Sequence, residues 1–229
     1  MEIKDLSFSY QHRQIFERLN ILFSDEKVNV IIGPNGVGKT TLLDIVAGLH
    51  QKQVHMNLID VPNHRSIAYQ LQQIRFFPTL TVEQTIQMYQ TIDHNGGGFP
   101  TSMMNKIKSV VLDAIKTEKL GNLSGGEKQI VLNYGTCLLN RELYIFDEPT
   151  SGVDLNNSQS ILKMIASLSK EQHKKVIITS HQINQLEYIP AHFIVLNNKG
   201  CVFTGSYEEL LIKEDVKDAD KAIQNLIAI

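Results

Sequence analysis

Apolar and polar positions divide the chain into stretches of two different periods. From Ile3 to Tyr10 they alternate, with Leu6, Phe8 and Tyr10 on one face, and a second apolar run, Leu19 to Phe23, follows a polar turn. That pattern predicts a pair of antiparallel strands. Val28 to Ile32 is a short apolar run that enters a glycine loop and then a helical stretch from Thr40 to Leu49, which reads as strand, loop, helix. Residues 50–71 are polar and carry His50, His55 and His64. A helix is predicted from Thr81 to Ile92, and three glycines, Gly96 to Gly98, then mark a flexible connection. From residue 142 onward strand (Leu143 to Phe146), helix (Ser158 to Ser169), strand (Val176 to Thr179) and a further apolar run (Phe193 to Leu196) alternate, as in a doubly wound sheet. Ser206-x-x-Glu209 is a capping box that opens a C-terminal helix, placed at about 206–228.

The elements add up to an α/β fold with a mostly parallel sheet. A small N-terminal antiparallel β subdomain precedes it, and residues 73–135 read as a mostly helical subdomain. At 229 residues the chain is expected to form one domain over 1–229. No internal repeat is found.

Composition narrows the function classes. Hydrophobic residues at 42% and charged residues at 20% fit a globular chain rather than a disordered or membrane-embedded one. A net charge of −2 argues against nucleic acid as a partner, because binding a phosphate backbone needs a basic surface. The two cysteines, Cys137 and Cys201, lie far apart in apolar segments and read as small buried hydrophobes of a reducing cytoplasm. The N-terminus lacks a signal-peptide layout, and no run approaches the roughly 20 apolar residues that span a bilayer. Direct membrane insertion is therefore not expected, and a membrane role would come through a partner.

Three segments carry chemistry. Gly33-Pro34-Asn35-Gly36-Val37-Gly38-Lys39-Thr40-Thr41 satisfies the P-loop pattern of a nucleoside triphosphatase core. Its glycines let backbone N–H groups and a helix start surround phosphates, Lys39 reaches the β/γ-phosphates and Thr40 ligates magnesium. Leu143 to Phe146 delivers Asp147 and Glu148 at the C-terminal end of a strand, where ligands bind in open α/β sheets. Asp147 is placed to hold the water shell of the metal, and Glu148 to orient and deprotonate the attacking water. The third segment, Leu123-Ser124-Gly125-Gly126-Glu127-Lys128-Gln129, is a helix start with Ser124 as N-cap and Glu127 closing a capping box. Its two glycines expose N–H groups at the positive end of the helix dipole, a second anion site.

These three segments in this order, together with an isolated His181 after the strand Val176 to Thr179, resemble the nucleotide-binding domain of ATP-binding cassette (ABC) proteins. The resemblance runs over almost the whole chain, and the 123–129 signature is highly specific. It implies ATP and magnesium as cofactors and a head-to-tail dimer with itself or a homologous subunit, in which the signature helix of one subunit caps the γ-phosphate held by the P-loop of the other. Ser124, Gly125, Gly126 and Gln129 would then serve the partner's ATP. Tyr10 resembles the aromatic that stacks on adenine, although it could also complete a core face with Phe8. Gln72 resembles the family's Q-loop glutamine, a catalytic and metal-touching residue, with Gln70 and Gln73 as rivals. His181 would be the switch histidine at the γ-phosphate, and Ser151 to Asp154 match the loop that crosses the dimer.

The chain departs from the family pattern at Ser24-Asp25-Glu26-Lys27, where a glycine is usual, at Ala191-His192, where an aspartate is common, and in a short stretch between Gly48 and Gln72 that implies a trimmed antiparallel subdomain. The resemblance implies an ATPase at the cytoplasmic face of a membrane, bound to a separate integral membrane permease. The run Pro149 to Asp154 and the lack of a long C-terminal regulatory domain lean toward the drug, antibiotic and peptide exporters. A cassette acting as a mechanochemical switch on a cytoplasmic assembly is the alternative.

Overall fold

The computed structural model describes residues 1–11, 13–50, 55–92, 99–181, 183–198, 200–216 and 218–228. In chain order its elements are strands β1 (Glu2–Tyr10), β2 (Arg13–Leu22) and β3 (Val28–Ile32), helix α1 (Lys39–Val46), strands β4 (His55–Ile59) and β5 (Ile67–Gln70), helices α2 (Val82–Ile92), α3 (Ser102–Ile107) and α4 (Gly125–Cys137), strand β6 (Leu143–Phe146), helix α5 (Leu155–Gln172), strands β7 (Lys175–Thr179), β8 (Ala191–Asn197) and β9 (Gly200–Gly205), and helices α6 (Tyr207–Glu214) and α7 (Ala219–Ala228). The glycine run Gly96 to Gly98 lies outside the described residues.

Two sheets organise them. A three-stranded antiparallel sheet has the order β2-β1-β4. A six-stranded sheet has the order β5-β6-β7-β3-β8-β9, parallel throughout except for the antiparallel edge pair β8 and β9. The fold is thus the expected α/β class, with a mostly parallel sheet beside a small antiparallel one.

Parallel strands covered on both faces must be apolar on both, and the inner strands show how the two faces are used. Val28, Val30 and Ile32 of β3, Tyr144 and Phe146 of β6, and Val176 and Ile178 of β7 face a core shared with α3, α4 and α5. The intervening Ile31, Leu143, Ile145 and Ile177 face a second core shared with Leu42, Leu43 and Ile45 of α1 and with Phe8 and Phe16 of the small sheet. Cutting Phe146 back to alanine would cost about 3–5 kcal/mol. In the helical region α2 rests directly on α4, because at Gly135 the ring of Tyr89 occupies the space a Cβ would need.

The Ser24 to Lys27 turn closes without a glycine. Ser24 Oγ accepts from the N–H of Lys27 at 3.1 Å, while the buried Asn29 accepts from the Ser24 N–H and donates to the carbonyls of Ser24 and Val176. The single C-terminal helix expected over 206–228 is instead two helices. The predicted capping box opens α6, which ends where Asp215 turns to φ 50°, and Asp218 accepts from the Asp220 N–H to start α7. Two aspartates in four residues favour caps over helix interior. Among the described residues no helix is long and apolar enough to cross a membrane.

Candidate functional site

The site begins where β3 ends. The loop from Gly33 leads to Gly38, which at φ 107° precedes α1 with no side-chain cap, so the first N–H groups of α1 are left for another acceptor. Crowding dictates the glycines: a Cβ on Gly38 would stand 2.7 Å from Ile15 and Phe16 of β2, and one on Gly33 only 2.6 Å from the Leu196 carbonyl of β8. The buried Lys39 ammonium donates to the Gly33 carbonyl at 2.8 Å and the Pro34 carbonyl at 3.2 Å. Burial pulls its pKa below the ordinary lysine value, opposed by the carboxylates of Glu148 and Asp147.

Those carboxylates arrive at the end of β6. Asp147 accepts from Thr40 Oγ1 at 2.7 Å on one oxygen and from Thr179 Oγ1 at 2.5 Å on the other. The N–H of Glu148 donates to the same Thr179 oxygen at 2.8 Å. Thr179, at the end of β7, therefore fixes both acids. Glu148 has φ 51°, a left-handed conformation that costs an ordinary side chain about 1–2 kcal/mol. Its carboxylate receives Gln72 Nε2 at 2.8 Å on one oxygen and lies 3.4 Å from His181 Nδ1 on the other.

The three candidate glutamines part company here. Gln70 is buried, donating to Asn133 at 3.0 Å and accepting from Thr136 at 2.9 Å. Gln73 lines a separate groove with Ile74, Arg75, Tyr89 and Leu139. Gln72 lines the P-loop cleft itself.

That cleft has a volume of about 490 Å³ and is lined by Asn35, Gly36, Gly38, Lys39, Thr40, Thr41, Gln72 and Glu148, with Tyr10, Arg13 and Ile15 at its rim. Phe8 is buried in the core, and Tyr10, 42% exposed, packs edge-on against it with ring centroids 4.8 Å apart while also lining the cleft. Arg13 donates to the Gly36 carbonyl at 3.3 Å. One end of the cleft thus offers cationic and N–H donors, and the other an aromatic ring. The Thr40 hydroxyl beside the Asp147 carboxylate is the hard oxygen pair that suits magnesium.

The signature segment sits elsewhere. Ser124 and Glu127 form the complete capping box expected, which holds the Glu127 carboxyl below its usual range through the Ser124 hydroxyl and backbone N–H. Around Gly125 a Cβ would meet nothing, while at Gly126 it would come within 2.9 Å of Asn157 near the start of α5. None of Ser124, Gly125, Gly126 and Gln129 lines the P-loop cleft of its own chain.

Sequence reasoning missed Thr179 and Arg13. The signal for Thr179 was a hydroxyl closing an apolar strand two residues before His181. For Arg13 there was none, since its position follows from the turn between β1 and β2.

A parallel sheet that gathers a phosphate loop and two strand-end acids in one cleft defines a P-loop ATPase of the cassette type. The family model described as "ABC transporter" matches residues 16–151, more than half of the chain, and the chain belongs to that family as an ATP-binding subunit. Such subunits hydrolyse ATP, and the chain is an ATPase of this class. Among curated relatives, the zinc import ATP-binding protein ZnuC of Ehrlichia ruminantium (strain Gardel) is 27% identical over 93% of the chain and 86% of its own length. The ZnuC of Buchnera aphidicola subsp. Acyrthosiphon pisum is 29% identical over 88% and 82%. The molybdate import ATP-binding protein MolC of Haemophilus influenzae is 27% identical over 94% and 86%. A chain of a transporter assigned to the metal-chelate type, in an inward-facing conformation, superposes with a TM-score of 0.71 at 26% identity over 92% of this chain and 84% of that one. A bacterial ABC transporter cassette with a dimeric structure gives 0.72 at 19% identity over 90% and 97%, a likeness of fold alone. The curated relatives, ZnuC and MolC, are named for import, and the leaning toward exporters finds no support among them.

Proposed function

We propose that two copies of this chain, or this chain and a close homologue, close head to tail around ATP and drive import through a separate membrane permease at the cytoplasmic face. The observation that carries the reading is the convergence of Lys39, Thr40, Asp147, Glu148, Gln72 and His181 on one cleft while the signature start lies outside it. A chain that holds its phosphate loop in one place and a second helix start in another needs a second chain to bring both to one nucleotide.

Within a composite site of this kind, Lys39 and the N–H groups at the start of α1 hold the β- and γ-phosphates. Thr40 and Asp147, with Gln72, would hold a magnesium ion, which would offset negative charge on the phosphate oxygens. Glu148 takes the proton of the attacking water, and Gln72 and His181, both within reach of its carboxylate, orient that water. Ser124, Gly125, Gly126 and Gln129 face the γ-phosphate in the partner's cleft, and Tyr10 stacks on adenine. Hydrolysis reopens the dimer, and opening and closing move the permease.

The names of the relatives favour a metal as cargo, as an ion, a chelate or an oxyanion. The experiment has two parts. The tagged Glu148→Gln form, purified in ATP from detergent-solubilised membranes, is expected to bring down a polytopic membrane protein in stoichiometric amount. Recovery from the soluble fraction alone would leave a cytoplasmic switch and remove the transporter. Cells lacking the chain are then expected to hold less zinc or molybdenum by elemental analysis, whereas a rise in either would reverse the direction.

A further inference from the structure

Beside Tyr10, at the C-terminal end of α1, lies a small polar cluster to which the proposed chemistry gives no role. α1 ends in a tight reversal: Gly48 adopts φ 82° and the Leu49 N–H donates back to the Asp44 carbonyl at 2.9 Å. The reversal returns the next residue, His50, across the helix end to β1. There its ring sits against two aromatics, with centroids 5.2 Å from Phe8 and 5.7 Å from Tyr10, the latter edge to face at 85°. His50 Nε2 lies 3.2 Å from the Tyr10 hydroxyl and 3.8 Å from Asp44 Oδ2. The other Asp44 oxygen accepts from the Tyr69 hydroxyl of β5 at 2.8 Å. Burial and the Asp44 carboxylate raise the Tyr69 pKa far above the usual phenol, so that hydroxyl remains a donor and keeps Asp44 in place.

We infer that His50 is a positioning residue for the nucleotide base, holding the Tyr10 ring at the cleft rim between Phe8 and the Asp44–Tyr69 pair. Tyr10 stands 42% exposed on a strand next to a turn, with Phe8 against its ring at 4.8 Å, so a second contact at its hydroxyl narrows its rotamers to the one on which a base can stack well. The brace is polar at its hydroxyl end and aromatic at its edge, which fixes both tilt and reach. It rests on the reading that the cleft takes ATP with Tyr10 against adenine.

The test compares ADP, which carries a base, with pyrophosphate, which does not, by titration calorimetry on the purified chain in magnesium. His50→Ala is expected to weaken ADP about three- to tenfold and leave pyrophosphate within twofold. His50→Gln, which returns a donor near the Nε2 position, should restore most of the loss, and Tyr10→Phe, which keeps the ring but not its hydroxyl, should weaken ADP by no more than His50→Ala and add nothing to it. Equal weakening of ADP and pyrophosphate in His50→Ala would mean a disturbed loop and overturn the inference. So would unchanged ADP binding in His50→Ala while Tyr10→Ala weakens it, an outcome that leaves the adenine reading standing. If Tyr10→Ala itself has no effect on ADP, the adenine reading falls and the inference with it.

Discussion

The chain contains two helices that open on glycines, α1 and α4, and they are built for opposite situations. α1 has no side-chain cap, and its loop is pressed between β2 and β8 so closely that neither Gly33 nor Gly38 could carry a Cβ. Around it the same chain supplies a lysine, two hydroxyls, two acids, an amide and an imidazole. α4 satisfies part of its own start through the Ser124 and Glu127 box, stands open at Gly125, and is joined by none of those groups. A glycine-rich helix start is therefore not one kind of site. What surrounds it decides whether it binds an anion alone or waits for a second molecule to complete it.

The largest effect expected on this contrast comes from Glu148→Gln. Turnover should fall about 10²–10⁴-fold, the range for loss of a general base, with ATP still bound and the protein running as a dimer on size exclusion. Undiminished turnover would remove the base from Glu148. Next comes a test of whether α4 serves another chain. Gly125→Asp fits the open space around Gly125 and should leave melting unaltered, yet place a charge where a phosphate is expected. Alone it should be nearly inactive, as should Lys39→Ala, but a mixture of the two should regain a part of wild-type turnover because one composite site of the mixed dimer is intact. A mixture as inactive as its components would argue that α4 acts within its own chain.

Thr179→Val keeps the shape but withdraws the hydroxyl shared by Asp147 and Glu148. About 1–3 kcal/mol of stability should be lost with the unpaired groups, and turnover should drop by roughly an order of magnitude, measured by melting and phosphate release. The smallest effect concerns His192, at the start of β8. Among the described residues its buried Nε2 has no hydrogen-bond partner, and burial holds its pKa below the ordinary histidine value. Below about pH 6.5 the unfolded chain binds a proton at this site that the folded chain resists, so stability falls as the pH drops through that range. Melting temperatures between pH 7.5 and 5.5 should decline less steeply in His192→Gln than in the wild type.

The parts of the site that were legible in the sequence are those whose chemistry is local. The phosphate loop, the strand ending in Asp147 and Glu148, and the capping boxes at Ser124 and Ser206 each need only a few consecutive residues, and each appears at its expected position. The strands that escaped notice lie at or beside sheet edges. Among the described residues β4 pairs only with β1, β5 only with β6, and β9 only with β8. His55, Asn57 and Gln70 in β4 and β5 interrupt their apolar pattern, and the buried Gln70 is satisfied by Asn133 and Thr136, more than 60 residues away. Such pairing is invisible to any local window. The role of Thr179 was hidden for the same reason: the two groups its hydroxyl joins, Asp147 and the N–H of Glu148, are 32 and 31 residues away at the end of β6. The lean to export rested on the run Pro149 to Asp154 and on the lack of a long C-terminal regulatory domain, and neither carries the chemistry of a cargo.

The backbone at Glu148 has a consequence for anyone who selects this protein for hardiness. Because the residue occupies φ 51°, replacement by glycine or asparagine relieves strain at that position and is among the easier ways to raise the melting point. A screen that rewards survival of heating will therefore enrich a change that removes the carboxylate. Thermostable variants from such a screen should be sequenced at codon 148 before they are taken for improved motors, since the sturdiest clones can be those in which the motor no longer runs.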